Sequence, residues 1–441
     1  MDRNSMQTSK AERLSYTGFF LGQNIIYVLP FQFLTYFYTE FVGLSLADTA
    51  VLLLLAKVWD SINDPIMGAI VDKCNFKKGK FLPWLKVATY TVPLSLFLMF
   101  INIEGPYLLK LIYAYVTYLI FDMVYTISDS PLFSLSTVMT SNTYERDKLM
   151  SYGRLAAAVA AITSAVFINI KVNVGWTWTV GIYCLISFLV MFPLQFCAKE
   201  RVKYQNSGDI TFIKIFQYLF KNKYLLIYFI GFLGIEITNT LQIIAVYFAN
   251  SNLGDESMVM IIMAVVIVPV ILVAPILPML IKVFGKKKVT VISSVVAIVL
   301  SIVQYFAGYE NLVIFLLIAA VRITFMQLPL MLYGMFTADC IEYGAYHTGE
   351  RTAGIAFSLQ TFMTKLGGAL ANTLCLVLLG VFGYVERAPQ QSSGALQGIW
   401  IIMSLVPCLG YVVMLFIMAI YKLDEKEVAR MMEENQRRAG C

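Results

Sequence analysis

Two aspartates, Asp60 and Asp64, stand four residues apart in the string Trp59-Asp60-Ser61-Ile62-Asn63-Asp64-Pro65, inside the apolar run 51–69. That spacing puts both carboxylates on one face of a helix. In a membrane each ionised carboxyl costs about 2.5–3.5 kcal/mol on insertion scales unless something offsets it. A cation held between them offsets both, so the pair reads as an ion site. Two alternatives stand beside it. The acids can share a proton, with one pKa raised, or Asp60 can form a structural ion pair with Lys57.

A second apolar run carries Asp122-Met123-Val124-Tyr125-Thr126-Ile127-Ser128-Asp129. Positions 122, 126 and 129 share one helical face. Asp60, Asp64 and the Thr126 hydroxyl together offer hard oxygen ligands of the kind Na⁺ favours. Arg154, at the start of the fifth run, can bridge to Asp129, bond a substrate oxygen in bidentate fashion, or snorkel to headgroups. Lys365 lies mid-run, where snorkelling is harder, and is read as pointing inward to neutralise acids or meet an anionic ligand. Glu236, with Thr238, Asn239 and Gln242, makes the seventh run polar. It either lines a pathway or pairs with Arg322.

These groups need elements that carry them through an apolar medium. The chain has 441 residues, 59% of them hydrophobic and 14% charged, too little charge to cover a soluble domain of this size. Twelve apolar runs recur, at 14–42, 46–71, 82–103, 107–133, 150–170, 175–197, 223–249, 256–282, 288–307, 311–337, 352–383 and 397–421. Each is long enough to cross a hydrocarbon core of about 30 Å. The expected fold is an all-α polytopic membrane protein with two six-helix bundles. The first covers 1–197 and the second 223–421, joined by a basic linker at 198–222 and followed by a tail at 422–441. Such a plan places a substrate path between repeated bundles.

Lys and Arg collect in the tails and in alternate loops, leaving only Lys110, Lys171 and Arg387 on the opposite side. The bias orients both termini to the cytoplasm of a cell membrane, with membrane lipid around the spans. It also accounts for the net charge of +6 without a nucleic-acid partner. The polar stretch 1–13 reads as no removable signal. Seven scattered cysteines and one histidine, His347, support neither a disulfide framework nor a zinc site. No nucleophile with a base is found, so an enzyme is not expected. Trp84, Trp176, Trp178 and Trp400 fall near run ends and read as interfacial anchors. Tyr16, Trp59, Tyr125 and Phe133 are candidates to stack on a sugar ring.

The motifs resemble those of the glycoside–pentoside–hexuronide:cation symporters, the melibiose-carrier branch of the major facilitator superfamily. The likeness runs over nearly the whole chain. It rests on 59–68, on Lys78-Gly79-Lys80-Phe81-Leu82-Pro83-Trp84, and on Ala338-Asp339-Cys340-Ile341-Glu342-Tyr343-Gly344 with Gly349-Glu350-Arg351. Ser128-Asp129-Ser130-Pro131 and Tyr152-Gly153-Arg154 also match. The resemblance implies twelve helices and cation-coupled uptake of a glycoside, oligosaccharide or uronide by alternating access, with no cofactor beyond Na⁺ or H⁺. It implies Asp60, Asp64 and Thr126 as the cation site, and Asp129, Arg154 and Phe133 as sugar-binding positions. Lys365 matches a conformationally important lysine, and the loops with Lys80, Asp339, Glu342 and Arg351 match gating segments. A monomer is expected. One departure stands out: Asn24 occupies the place of an acid that usually holds sugar hydroxyls. An amide still donates and accepts, but the lost charge, with Arg154 and Lys365 present, turns the expectation toward an acidic sugar. The rival reading is a carrier of similar fold for a non-sugar substrate such as a lysolipid.

Overall fold

Long apolar runs fold here as helices, and no strand forms among the described residues. The computed structural model describes residues 7–74, 76, 79–140, 142–201, 219–273, 275–348 and 353–438. Within its helices some side chains lie outside the description, those of Asp64 and Arg154 among them. Nine helices among the described residues are long and apolar enough to cross a membrane. The remaining three runs of the sequence reading, the first, second and eighth, are helical too, but interrupted or more polar. The chain divides into two compact units. The first is Met1–Ser207 with Leu253–Ile261 and Val385–Pro389. The second is Gly208–Asn252, Ile262–Tyr384 and Gln390–Cys441.

In the first unit α1 spans Lys10–Leu29 and starts in a capping box: Ser9 Oγ accepts from the Glu12 N–H, and Glu12 accepts from the Ser9 N–H. The chain continues through two π-helical stretches, Pro30–Leu34 and Phe37–Val42. Then come α2, Leu46–Lys73, α3, Leu82–Met99, α4, Tyr107–Met139, α5, Thr143–Val174, and α6, Trp176–Met191. Helix α1 packs on α5 and α6, and α4 on α2 and α3. Gly18 and Gly22 permit the α1–α6 approach. A Cβ on Gly18 would lie 2.8 Å from the Val190 carbonyl oxygen, and one on Gly22 2.7 Å from that of Ser187.

The end of the first span is capped by cations from elsewhere in the chain. Val42 precedes Gly43 in the left-handed region at φ 82°. Lys110 Nζ donates to the Val42 carbonyl (3.3 Å), and Arg387 donates to the carbonyls of Glu40 and Phe41. Lys171 pairs with Glu256, which also accepts from the Tyr36 hydroxyl. All three basic residues that the sequence reading sets apart therefore bond at this end, where helix-terminal carbonyls welcome positive charge. Trp176 is 4% exposed and packs among Phe37, Phe100 and Phe167. It is core, not an interfacial anchor, because aromatics close this end of the bundle. Trp400 is buried likewise, its indole N–H on the Tyr305 carbonyl, whereas Trp178 is 75% exposed.

The second unit runs α7, Lys223–Thr238, α8, Leu241–Ser251, α9, Val259–Val273 (its first turn counted with the first unit), and α10, Leu277–Phe284. It continues with α11, Lys286–Ala307, α12, Leu312–Met331, α13, Tyr333–Thr348, α14, Ala353–Val381, α15, Ser393–Ser404, α16, Val406–Ile420, and α17, Glu425–Arg438. Helix α7 packs on α16 and α14, and α11 on α12 and α16. Pro407 has no N–H for the Met403 carbonyl, so the twelfth run breaks between α15 and α16. Arg322, fully buried on α12, fills that need: it donates to the carbonyls of Ser404 (2.8 Å) and Met403 (3.2 Å). Its charge sits at the C-terminus of α15, the favourable end of the helix dipole. Arg322 does not pair with Glu236.

Candidate functional site

The first unit gathers most of the ionisable side chains that lie at membrane depth. Asp60 is buried on α2, and its Oδ2 lies 3.3 Å from Lys57 Nζ, one turn earlier. The ion pair that the sequence allows is thus formed. On the same helix Asn63, 2% exposed, donates from Nδ2 to Thr126 Oγ1 on α4 at 3.0 Å. Thr126 in turn donates to the Asp122 carbonyl at 3.1 Å. This bond fixes α2 against α4 at the level of Asp60. Asp122 is buried beside it. The Asp64 side chain lies outside the described residues.

In sequence, the middles of the apolar stretches of α2, α4 and α5 carry the acids Asp60, Asp64, Asp122 and Asp129 and the bases Lys57 and Arg154.

One turn along α4, Asp129 Oδ1 accepts from Gln23 Nε2 at 3.1 Å, and Ser128 Oγ accepts from the same nitrogen at 3.0 Å. Gln23 is 1% exposed. The adjacent Asn24 turns back and donates to the Phe20 carbonyl of its own helix at 2.8 Å. The residue reaching Asp129 from α1 is therefore Gln23, which the sequence reading passed over. The only signal was the pair of amides in Gly22-Gln23-Asn24, whose helical phase the string does not state. Around this polar line sit aromatics. Tyr125 meets Tyr27 with ring centroids 5.4 Å apart, and Phe133, 45% exposed, meets Phe20 edge-on at 5.2 Å. Phe20 rests on Gly153, where a Cβ would touch the ring at 3.1 Å. The Arg154 side chain, next in sequence, lies outside the described residues. Lys365 is half-buried on α14 of the second unit.

The loop residues matched to gating have partners within their own units. The N–H groups of Lys80, Phe81 and Leu82 converge on the Glu200 carboxylate at 2.7–2.8 Å, an anion at the N-terminus of α3. Gly79, at φ 115°, makes room for it: a Cβ there would lie 2.6 Å from Glu200 Oε1. Glu200 went unremarked in the sequence because a lone acid at the start of a linker carries no pattern. Asp339 pairs with Lys286, and Glu342 accepts from Asn435 Nδ2 on α17 at 3.1 Å. Arg351 lies outside the described residues. Among the described residues no three His, Cys, Asp or Glu cluster as for a metal.

Comparison with known proteins follows the same line. Residues 19–425 match the family model described as MFS/sugar transport protein. The uncharacterized symporter YnaJ of Bacillus subtilis is 29% identical over 99% of this chain and 97% of its own length. A glucuronide carrier protein homolog of Escherichia coli is 26% identical over 95% of this chain and 94% of its own. The crystal structure of nucleoside transporter NupG superposes with a TM-score of 0.66 at 12% identity, covering 93% of this chain and 99% of that one, which speaks to the fold alone. A buried, acid-rich polar line on apolar helices, found in a chain matched from end to end, belongs to a carrier and not to an enzyme: the protein is a multi-pass membrane transporter of the MFS/sugar transport family.

Proposed function

We propose that the protein is a cation-coupled symporter that takes up a glycoside or uronide by alternating access, with Na⁺ as the coupling ion and H⁺ as the alternative. The two carboxylates one helical turn apart in the apolar stretch of α2, Asp60 and Asp64, are the observation that carries this reading. Asp60 and Asp64 hold the ion, with the Thr126 hydroxyl as a third oxygen. Lys57 holds Asp60 while the ion is absent and yields it when the ion arrives. Asp129, positioned by Gln23, accepts from sugar hydroxyls, while Arg154 meets acidic oxygens. Tyr125 and Phe133 offer apolar faces to the ring. Asn24, bonded to its own helix, keeps one acceptor oxygen for the same ligand.

Ion binding offsets the charge of the two carboxylates, so the reorientation step moves a more nearly neutral site. Each charge moving down the membrane potential contributes about 2.3 kcal/mol per 100 mV, enough for roughly fifty-fold accumulation. The glucuronide carrier homolog among the relatives favours the uronide arm. Uptake into proteoliposomes tests this, using methyl-β-D-glucuronide, methyl-β-D-glucoside, methyl-α-D-galactoside and methyl-β-D-xyloside with and without a Na⁺ gradient at fixed pH. Gradient-dependent accumulation of a member of this panel is expected, the glucuronide foremost. Uptake indifferent to both Na⁺ and pH gradients would overturn the coupling.

A further inference from the structure

The seventh run contains a helix break in the middle of its apolar stretch. Helix α7 ends at Thr238, and α8 begins at Leu241. Broken backbone at membrane depth persists only where protein buries it or where it lines a water-filled cavity. Part of this break is bonded to the second break in the unit. Thr240 Oγ1 donates to the Ile402 carbonyl at 3.2 Å, and Thr238 Oγ1 lies 3.3 Å from that of Pro407. The Asn239 N–H returns to the Glu236 carbonyl at 3.2 Å.

Three side chains of the same segment are left over. Glu236, Asn239 and Gln242 follow at steps of three, flank the break, and are each only partly buried. No hydrogen bond or ion pair joins their side chains to another described residue, although Thr238 and Thr240 between them are satisfied. Two basic residues of the second unit's apolar helices are engaged otherwise. Arg322 serves the α15 carbonyls, and Lys365, two residues from the Gly367 on which Glu236 rests, has an interaction of its own. A Cβ on Gly367 would sit 2.3 Å from that of Glu236, so the two helices cross closely.

A lone carboxyl between two amides, without a second acid, suits neither a metal ion nor an anion. In its protonated form it adds one donor and an acceptor to the two donors and one acceptor of each amide. That set fits alcohol groups. We infer that Glu236, Asn239 and Gln242 form a hydrogen-bonding site in the second unit for neutral hydroxyls of the transported sugar. The inference rests on the sugar-transport reading above. It adds a specificity element: polyhydroxylated ends are accepted at this site and charged ends are refused.

The test uses purified full-length protein and the same four glycosides, with Na⁺ affinity measured in parallel. Glu236→Ala, Asn239→Ala and Gln242→Ala are each expected to raise the sugar Kd about 3- to 10-fold. Glu236→Gln, which mimics the protonated acid, stays within about twofold. Na⁺ affinity stays within about twofold in all four, which a general loss of structure would not allow. Unchanged sugar Kd in all three alanine variants overturns the inference and leaves the transport reading intact. Equal loss in Glu236→Gln and Glu236→Ala also overturns it, since a charged carboxylate would then be required. If the wild type binds none of the four sugars, the reading beneath it falls as well. Where Glu236→Ala fails to fold, Gln242→Ala and Glu236→Gln decide.

Discussion

Replacing Lys57 by Gln should tighten Na⁺ binding. The ammonium lies 3.3 Å from Asp60 Oδ2, with the Asp60 side chain 6% exposed and that of Lys57 25%. At an effective dielectric constant of about 20, unit charges at that separation attract by about 5 kcal/mol. Lys57 regains water when it leaves, and part of it is wetted already, so about 2–3 kcal/mol is the net cost an arriving ion meets. Removing the lysine removes that cost. The Na⁺ Kd should fall by roughly 30- to 150-fold in Lys57→Gln and stay near the wild-type value in Lys57→Arg. Isothermal titration of detergent-solubilised protein with NaCl, choline chloride holding ionic strength constant, measures it. A Na⁺ Kd that is unchanged or weaker in Lys57→Gln would refute the competition, and Lys57 would then be a structural partner of Asp60 only.

Other consequences follow from the same geometry. Asn63→Ala or Thr126→Ala removes the 3.0 Å bond between α2 and α4 and should weaken Na⁺ binding about 5- to 20-fold, with sugar affinity at saturating Na⁺ nearly unchanged in the same titrations. Glu145 is buried and accepts from Thr8, Gln7 and Thr140. Burial pushes its carboxyl pKa up, but these hydrogen bonds outweigh burial and hold it below the usual value. Its stabilisation is therefore complete above the unfolded carboxylate pKa and is lost as pH falls through the lower folded one. Thermal unfolding in detergent between pH 6 and 3 should show a steeper decline for the wild type than for Glu145→Gln; parallel curves would contradict this. Arg322→Gln leaves the carbonyls of Met403 and Ser404 short of donors at a fully buried site and should cost about 2–4 kcal/mol of stability, read as a lowered unfolding temperature, with Arg322→Lys intermediate.

The fold was legible because apolar runs of membrane length are a strong and repeated signal, and Gly and Pro mark where they stop. Residue partners were less so. Asp60, Thr126 and Asp129 stand out in sequence as polar groups on apolar helices, and the structure puts the bonds of Asn63 and Gln23 directly on two of them. Yet Asn24, in the place of an acid that usually holds sugar hydroxyls, stands out in the string and Gln23 does not, since adjacent residues on a helix differ by about 100° and a string gives no absolute phase. Arg322 looked like a partner for Glu236 because opposite charges suggest a pair. Pro407, on a third helix, had already created the carbonyls that Arg322 serves. Trp176 and Trp400 looked interfacial from their position near run ends, but burial at a bundle end depends on which neighbours close over it. Glu200 was invisible for a similar reason: its partners are backbone N–H groups about 120 residues earlier.

The central claim is that the acids of α2 exist to carry an ion. Proteoliposomes holding wild type, Asp60→Cys or Asp64→Cys can be assayed for sodium-driven accumulation and, side by side, for sugar exchange without a gradient. The account predicts that both variants lose accumulation and keep measurable exchange. Accumulation by either variant at the wild-type level would contradict it.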